Sequence, residues 1–110
     1  MNITSRQLRL FLALADTGSV SAAARALHVT QPTASMQLRE VSASVGLPLY
    51  EVIGRKVFLT EAGRALAQTA RAIAGEWERF GQQVSAMKGL TSGRLSVAVV
   101  STAKYFVPRL

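Results

Sequence analysis

The sequence contains no cysteine and a single histidine. Without thiols it can build neither a disulfide framework nor a thiolate metal site, and a cytoplasmic compartment suits it without being required. His28 falls at the end of a short helical stretch, where a hydrogen-bonded turn residue is the ordinary role, and no metal cluster can be assembled around it. Glu76 and Glu78 are two apart on an expected helix, so they do not share a face and read as solvated charges. No glycine-rich phosphate loop and no arrangement for an acyl-transfer nucleophile is visible. These absences argue against an enzyme, a bound metal or a cofactor. Apolar runs are far too short to span a bilayer, and Met1 is followed by polar residues rather than the apolar run of a signal peptide. No membrane partner is expected.

Anions are also scarce: six Asp and Glu stand against thirteen Lys and Arg, for a net charge of +7. The excess is uneven, with six cations and three anions in residues 1–59, four and three in 60–88, and three and none in 89–110. Phosphate binding by the first segment therefore depends on the placement of Arg6, Arg9, Arg25, Arg39, Arg55 and Lys56, helped by helix N-termini, rather than on bulk charge. The 110 residues, 49% of them hydrophobic, suffice for one small core.

Between Ser19 and Val45 lies the pattern of a helix-turn-helix. Ser19 is placed to cap a short helix, because its hydroxyl can accept from backbone amides left unpaired in the first turn. Val20, Ala23, Ala24 and Leu27 then recur at i, i+3, i+4 and i+7 as one buried stripe, and the alanines allow a second helix to cross closely. His28 and Val29 make the break. Thr30 is a fresh N-cap, Pro32 falls in the first turn, where a missing amide hydrogen costs little, and a second helix starts at about Gln31. On a wheel, Ala34, Leu38, Val41 and Val45 form its core face, while Pro32, Thr33, Ser35, Met36, Arg39 and Glu40 point away and Gln31 sits at the exposed end. Such a helix lays its N-terminal half into a DNA major groove, where Gln pairs bidentately with adenine, Ser or Thr with several bases, and Met36 and Pro32 meet thymine methyls. Spacing alone also fits an ordinary surface helix with a solvated polar face.

Two apolar runs, Leu49 to Ile53 and Val57 to Leu59, flank Gly54, Arg55 and Lys56, the signature of a short β-hairpin with a basic tip. Beside a recognition helix this is a wing that brings Arg55 and Lys56 to phosphates or into a minor groove; taken alone, such a charge pair is more often a solvated tip. At the front, Leu8, Phe11, Leu12 and Ala15 form a further amphipathic helix, capped by Thr4 or Ser5 and ended near Gly18.

These elements carry a resemblance. Gln7-Leu8-Arg9, Phe11, Gly18-Ser19-Val20, Ala23-Ala24, Leu27, Thr30-Gln31-Pro32, Ser35, Gln37-Leu38, Gly46, Leu49-Tyr50, Arg55 and Leu59-Thr60-Glu61-Ala62-Gly63 together resemble the amino-terminal domain of LysR-type transcriptional regulators. Within that family, Met36, Gly46-Leu47-Pro48-Leu49-Tyr50-Glu51 and the segment from Ser101 to Leu110 look most like regulators of carbon-fixation (Calvin cycle) operons. The resemblance implies a dimer that reads an interrupted palindrome in promoter DNA and activates transcription when a metabolite binds a second domain. It places base contacts on Gln31, Pro32, Thr33, Ser35 and Met36 and a minor-groove cation on Arg55; Thr30, Arg39, Lys56 and Arg25 are further candidates for backbone contacts by their position and charge. RNA polymerase and a tetrameric assembly are further expectations for the full-length form. Three departures stand out: Met36 where many members have Arg, Val41-Ser42 in place of Leu-Glu, and Val52 at a common wing Arg.

From Thr60 the pattern changes. Leu66, Ala70, Ile73, Trp77, Phe80, Val84 and Met87 alternate spacings of four and three, a heptad seam without proline. A helix from about Glu61 to Lys88 would be about 42 Å long, more than a small domain buries internally. A homodimer coiled coil, parallel or antiparallel, is expected, with antiparallel pairing implied by the resemblance; the alternative is one partly buried helix packed on its own domain. Gly89 to Gly93 read as a hinge, and Arg94 to Val100 as a β-branched strand whose continuous apolar run suits a parallel sheet. No partner strands follow, so a fragment of a longer regulator is expected. The strand would open an α/β effector domain, with Ser101 and Thr102 as effector contacts by resemblance only.

The expected architecture is mainly α: a winged helix-turn-helix over residues 1–59, a coiled-coil linker helix over 60–88, a hinge over 89–93, and the first strand of a truncated α/β effector domain over 94–110. Rivals to a carbon-fixation regulator are a LysR-type regulator of another metabolic operon, a winged helix used for protein interaction, and a dimerisation module that does not bind DNA.

Overall fold

The computed structural model describes residues 1–92; the expected strand at 94–100 and the effector candidates Ser101 and Thr102 lie outside the described residues. The elements run α1 (Ser5–Thr17), α2 (Val20–Ala26), α3 (Gln31–Val45), β1 (Tyr50–Ile53), β2 (Lys56–Leu59) and α4 (Glu61–Ser92). Two compact units divide the chain, residues 1–72 and 73 onward.

Local chemistry sets the helix boundaries of the first unit. Thr4 and Gln7 form a reciprocal capping box on α1: the Gln7 N–H donates to Thr4 Oγ1 at 3.1 Å and the Thr4 N–H to Gln7 Oε1 at 3.0 Å. Ser19 Oγ accepts from Ala22 N–H at 3.2 Å at the start of α2, and Thr30 Oγ1 from Thr33 N–H at 3.3 Å at the start of α3. Gly46 closes α3 in the left-handed conformation, at φ 84°. The turn between α2 and α3 places His28 at φ 58°, and its N–H donates to the Arg25 carbonyl at 3.2 Å. His28 therefore has the turn role its position suggests.

Phe11, Leu14, Leu38, Val41 and Leu49 are the largest fully buried side chains, joined in one core by Leu10, Ala23, Ala24, Ala34 and Ala67. The face of α1 differs from the expected stripe. Gln7, Leu10, Phe11 and Leu14 are buried, while Leu8, Leu12 and Ala15 are half-buried. Arg6, Arg9 and Asp16 lie in one exposed arc of the wheel and Leu10, Phe11 and Leu14 are buried away from it, with Gln7 held in that face by its hydrogen bonds. Val20, Leu27 and Val45 line the edge of the core rather than its centre.

The two strands pair antiparallel with Tyr50 opposite Leu59 and Ile53 opposite Lys56, leaving Gly54 and Arg55 as a two-residue loop. Gly54 has φ 66° and Arg55 does not share a positive φ, the pattern of a type II′ turn, whose twist matches the strands. Val57 N–H donates to the Gly18 carbonyl at 3.1 Å, tying the hairpin to the α1–α2 turn. At the start of α4, Thr60 Oγ1 accepts from Gly63 N–H at 3.1 Å and Thr60 N–H donates to the Leu49 carbonyl at 3.0 Å. A methyl group at Gly63 would overlap that Leu49 carbonyl oxygen, so glycine permits the close approach.

In the second unit, the described residues form the rest of α4. The helix does not end at Lys88 as expected but continues through Gly89 to Ser92. No proline interrupts it, and a glycine in a helix interior costs only about 1 kcal/mol. Trp77 and Phe80 meet edge to face, with ring centroids 6.1 Å apart, and Arg79 pairs with Glu76 one turn back.

Candidate nucleic-acid interface

The first turns of α3 carry the candidate base-reading set. Gln31, Pro32, Thr33 and Met36 are exposed and Ser35 is half-buried, while Ala34, Leu38 and Val41 are buried on the opposite side. One helix thus separates a core face from a polar, short-chained face. Gln31 Oε1 accepts from Ser21 Oγ at 3.0 Å, which orients the amide while leaving both its N–H donors and a second oxygen lone pair available. Thr30 is exposed, but its hydroxyl is engaged: it caps α3 and donates to Thr33 Oγ1 at 2.9 Å.

The candidate backbone contacts lie on several elements around α3. Arg25 is in the last turn of α2, Arg39 is on α3, Arg55 is at the hairpin tip and Lys56 opens β2; all four are exposed. None of these cations, nor Arg6 or Arg9, is held in an ion pair among the described residues, whereas Asp16 is paired with Arg71. Their charge is available to phosphates. Burial pushes the Tyr50 phenol above its usual range, an effect partly offset by the nearby Arg39 guanidinium.

Three residues outside the expected set support this surface: Ser21 on Gln31, Gly63 beneath the wing, and Gln7. The Gln7 Nε2 donates to Gln37 Oε1 at 2.8 Å and to Glu40 Oε1 at 3.3 Å, joining α1 to α3. Thr4-x-x-Gln7 is a visible capping-box signature; the cross-helix bonds carry no sequence signal. Among the described residues no group of His, Asp or Glu is arranged to hold a metal, and no helix is long and apolar enough to cross a membrane.

The seam residues divide. Ala70 is 4% exposed within the first unit and Leu66 packs on its core, so these two positions are used by the winged unit itself. Trp77 is 50% exposed and Phe80 43% exposed, Ile73 and Met87 are also exposed, and Val84 is half-buried.

Comparisons with known proteins identify the family and the fold. The family model of bacterial regulatory helix-turn-helix proteins of the LysR family matches residues 5–64. The chain is 43% identical over 109 residues, 99% of its length, to the HTH-type transcriptional activator CmpR of Synechocystis, covering 36% of that protein. It is 44% identical over 107 residues, 97% of its length, to a RuBisCO operon transcriptional regulator of Acidithiobacillus ferrooxidans, covering 35% of it. The chain thus spans about a third of the length of the curated relatives it matches. Among solved structures, the CbnR DNA-binding domain in complex with DNA superposes with a TM-score of 0.70 at 37% identity, over 78% of this chain and 99% of that one. Vibrio fischeri DarR in complex with DNA gives 0.70 at 33% identity, over 82% of this chain and 31% of that one. Family and fold are those of transcriptional regulators rather than enzymes, and the chain belongs to the LysR family of bacterial helix-turn-helix regulators.

Proposed function

We propose that this chain is the DNA-reading domain and linker helix of a carbon-fixation operon regulator, and that it binds promoter DNA as a homodimer at an interrupted palindrome. The observation that carries the reading is the two-faced α3 beside a cation-tipped wing: exposed Gln31, Pro32, Thr33 and Met36, with half-buried Ser35, back onto buried Ala34, Leu38 and Val41. Gln31, Thr33 and Ser35 supply hydrogen bonds to base edges, and Pro32 and Met36 supply apolar contact to thymine methyls. Arg55 enters the adjacent minor groove, with Lys56, Arg39, Arg25 and the Thr30 terminus of α3 on phosphates. Identity of 43–44% over nearly the whole chain to CmpR and to a RuBisCO operon regulator supports the carbon-fixation role.

The dimer seam in this reading runs through Ile73, Trp77, Phe80, Val84 and Met87, without Leu66 and Ala70. A metabolite-responsive effector domain, contact with RNA polymerase, tetramer assembly and a cytoplasmic location belong to the whole regulator. The test is binding to an interrupted palindrome and to scrambled DNA across a salt series. Binding should fall steeply with salt, Gln31→Ala should lose discrimination by about tenfold, and Arg55→Ala should weaken binding to both DNAs. No preference for the palindrome at low salt, in a folded and dimeric chain, would favour the protein-interaction reading.

A further inference from the structure

Gln7 is the one buried polar side chain among the described residues, 9% exposed, and its amide is saturated. Oε1 accepts from Thr4 N–H at 3.0 Å, and Nε2 donates to Gln37 Oε1 at 2.8 Å and Glu40 Oε1 at 3.3 Å. A primary amide has two N–H donors, so both are spent on α3 while the oxygen is held by the cap of α1. Rotating this amide would break all three bonds. Gln37 and Glu40 are three residues apart and lie on one flank of α3, between its buried row and its exposed face. The other side-chain hydrogen bonds from α3 to the rest of the chain, Ser21 Oγ to Gln31 Oε1 and Ser44 Oγ to the Asn2 carbonyl, lie near its two ends, and the core contacts of Phe11, Leu14, Leu38, Val41 and the alanines are apolar and non-directional.

We propose that Gln7 is a positioning residue for DNA recognition, fixing the rotation of α3 about its own axis and with it the direction of Gln31, Ser35 and Met36. The proposal rests on the reading of α3 as the DNA-reading helix. With an outer radius of about 5–6 Å, a turn of about 10° displaces a side-chain tip by about 1 Å. That is enough to spoil a hydrogen bond to a base edge while leaving phosphate contacts largely intact. A residue that merely stabilised the fold would weaken binding to all DNA together.

Gln7→Glu keeps the acceptor that caps α1 but sets a carboxylate against Glu40. Adding Glu40→Gln exchanges donor and acceptor across the same pair and restores the parent's net charge. Both changes are nearly isosteric, so neither needs added space. Fluorescence anisotropy of the 110-residue chain on an interrupted palindrome and on scrambled DNA gives the discrimination ratio. Thermal unfolding of each variant and a Gln31→Ala control accompany it.

The ratio should fall about tenfold in Gln7→Glu and return to within about threefold of the parent in the exchanged pair. Glu40→Ala, at an exposed position, provides the same readout if Gln7→Glu does not fold, with a loss of about threefold expected. An unchanged ratio in Gln7→Glu, or in Glu40→Ala where that variant is used, would overturn the proposal. So would a loss that the exchange does not restore and that instead follows the melting temperature. A parent with no preference for the palindrome, unaffected by Gln31→Ala, overturns the recognition-helix reading and this proposal together. A parent that discriminates through Gln31 but not through Gln7 overturns this proposal alone.

Discussion

Along α4, Gly63, Ala67 and Ala70 are buried in the winged unit, and Leu66 packs on its core, whereas Ile73, Trp77, Phe80 and Met87 continue the same spacing and remain exposed. The spacing is continuous, but the use of the apolar side chains changes between Ala70 and Ile73. Up to that point they complete the chain's own core around Phe11, Leu14 and Leu38. Beyond it Ile73, Trp77, Phe80 and Met87 are exposed among the described residues. A heptad pattern therefore reports which residues share a face, and burial in the fold determines which are left for a partner.

The largest effect that sharpens this contrast is Leu38→Ala, which should lower the stability of the winged unit by about 2–5 kcal/mol. Ile73→Ala should change monomer stability by less than about 1 kcal/mol, since the side chain is already exposed in the single chain. Denaturant unfolding at low protein concentration checks both, and equal losses would break the distinction. Gly63→Ala comes next. Its methyl must displace the Leu49 carbonyl and disturb the bond from Thr60 N–H, for a loss of about 1–3 kcal/mol in the same assay.

Smallest is a pH effect at Tyr50. Its phenol is raised above 10.0 by burial, against a lowering influence from Arg39, so the folded state favours the neutral form. The associated stability is fully present below the unfolded value and is lost as pH rises through the folded one. From about pH 9 to 11 the unfolding midpoint of the parent should fall more steeply than that of Tyr50→Phe.

Features written in neighbouring residues were legible in advance. The caps at Ser19 and Thr30, Pro32 in the first turn, the Gly54 hairpin and the opposed faces of α3 all follow from local hydrogen bonding and periodicity. The face of α1 was only partly legible: Arg6, Arg9 and Asp16 mark its solvent side, but the burial of a polar Gln7 on the opposite side was not expected. What settles it is the reach of Gln7 to Gln37 and Glu40, thirty and thirty-three residues away. The same holds for Ser21 on Gln31 and for Gly63 under Leu49, contacts that exist only after folding. Leu66 and Ala70 fit the heptad spacing and are packed within the winged unit.

The most direct measurement compares binding of the chain to a full interrupted palindrome with binding to a single half-site, by sedimentation and anisotropy, for the parent and for Trp77→Asp. The expected result is two chains on each palindrome and an affinity at least about a hundredfold above that for the half-site, because the second contact becomes intramolecular. Trp77→Asp should abolish that advantage while half-site binding and folding persist. One chain per duplex, with equal affinity for palindrome and half-site and no response to Trp77→Asp, would contradict the division of α4 into a core half and a pairing half.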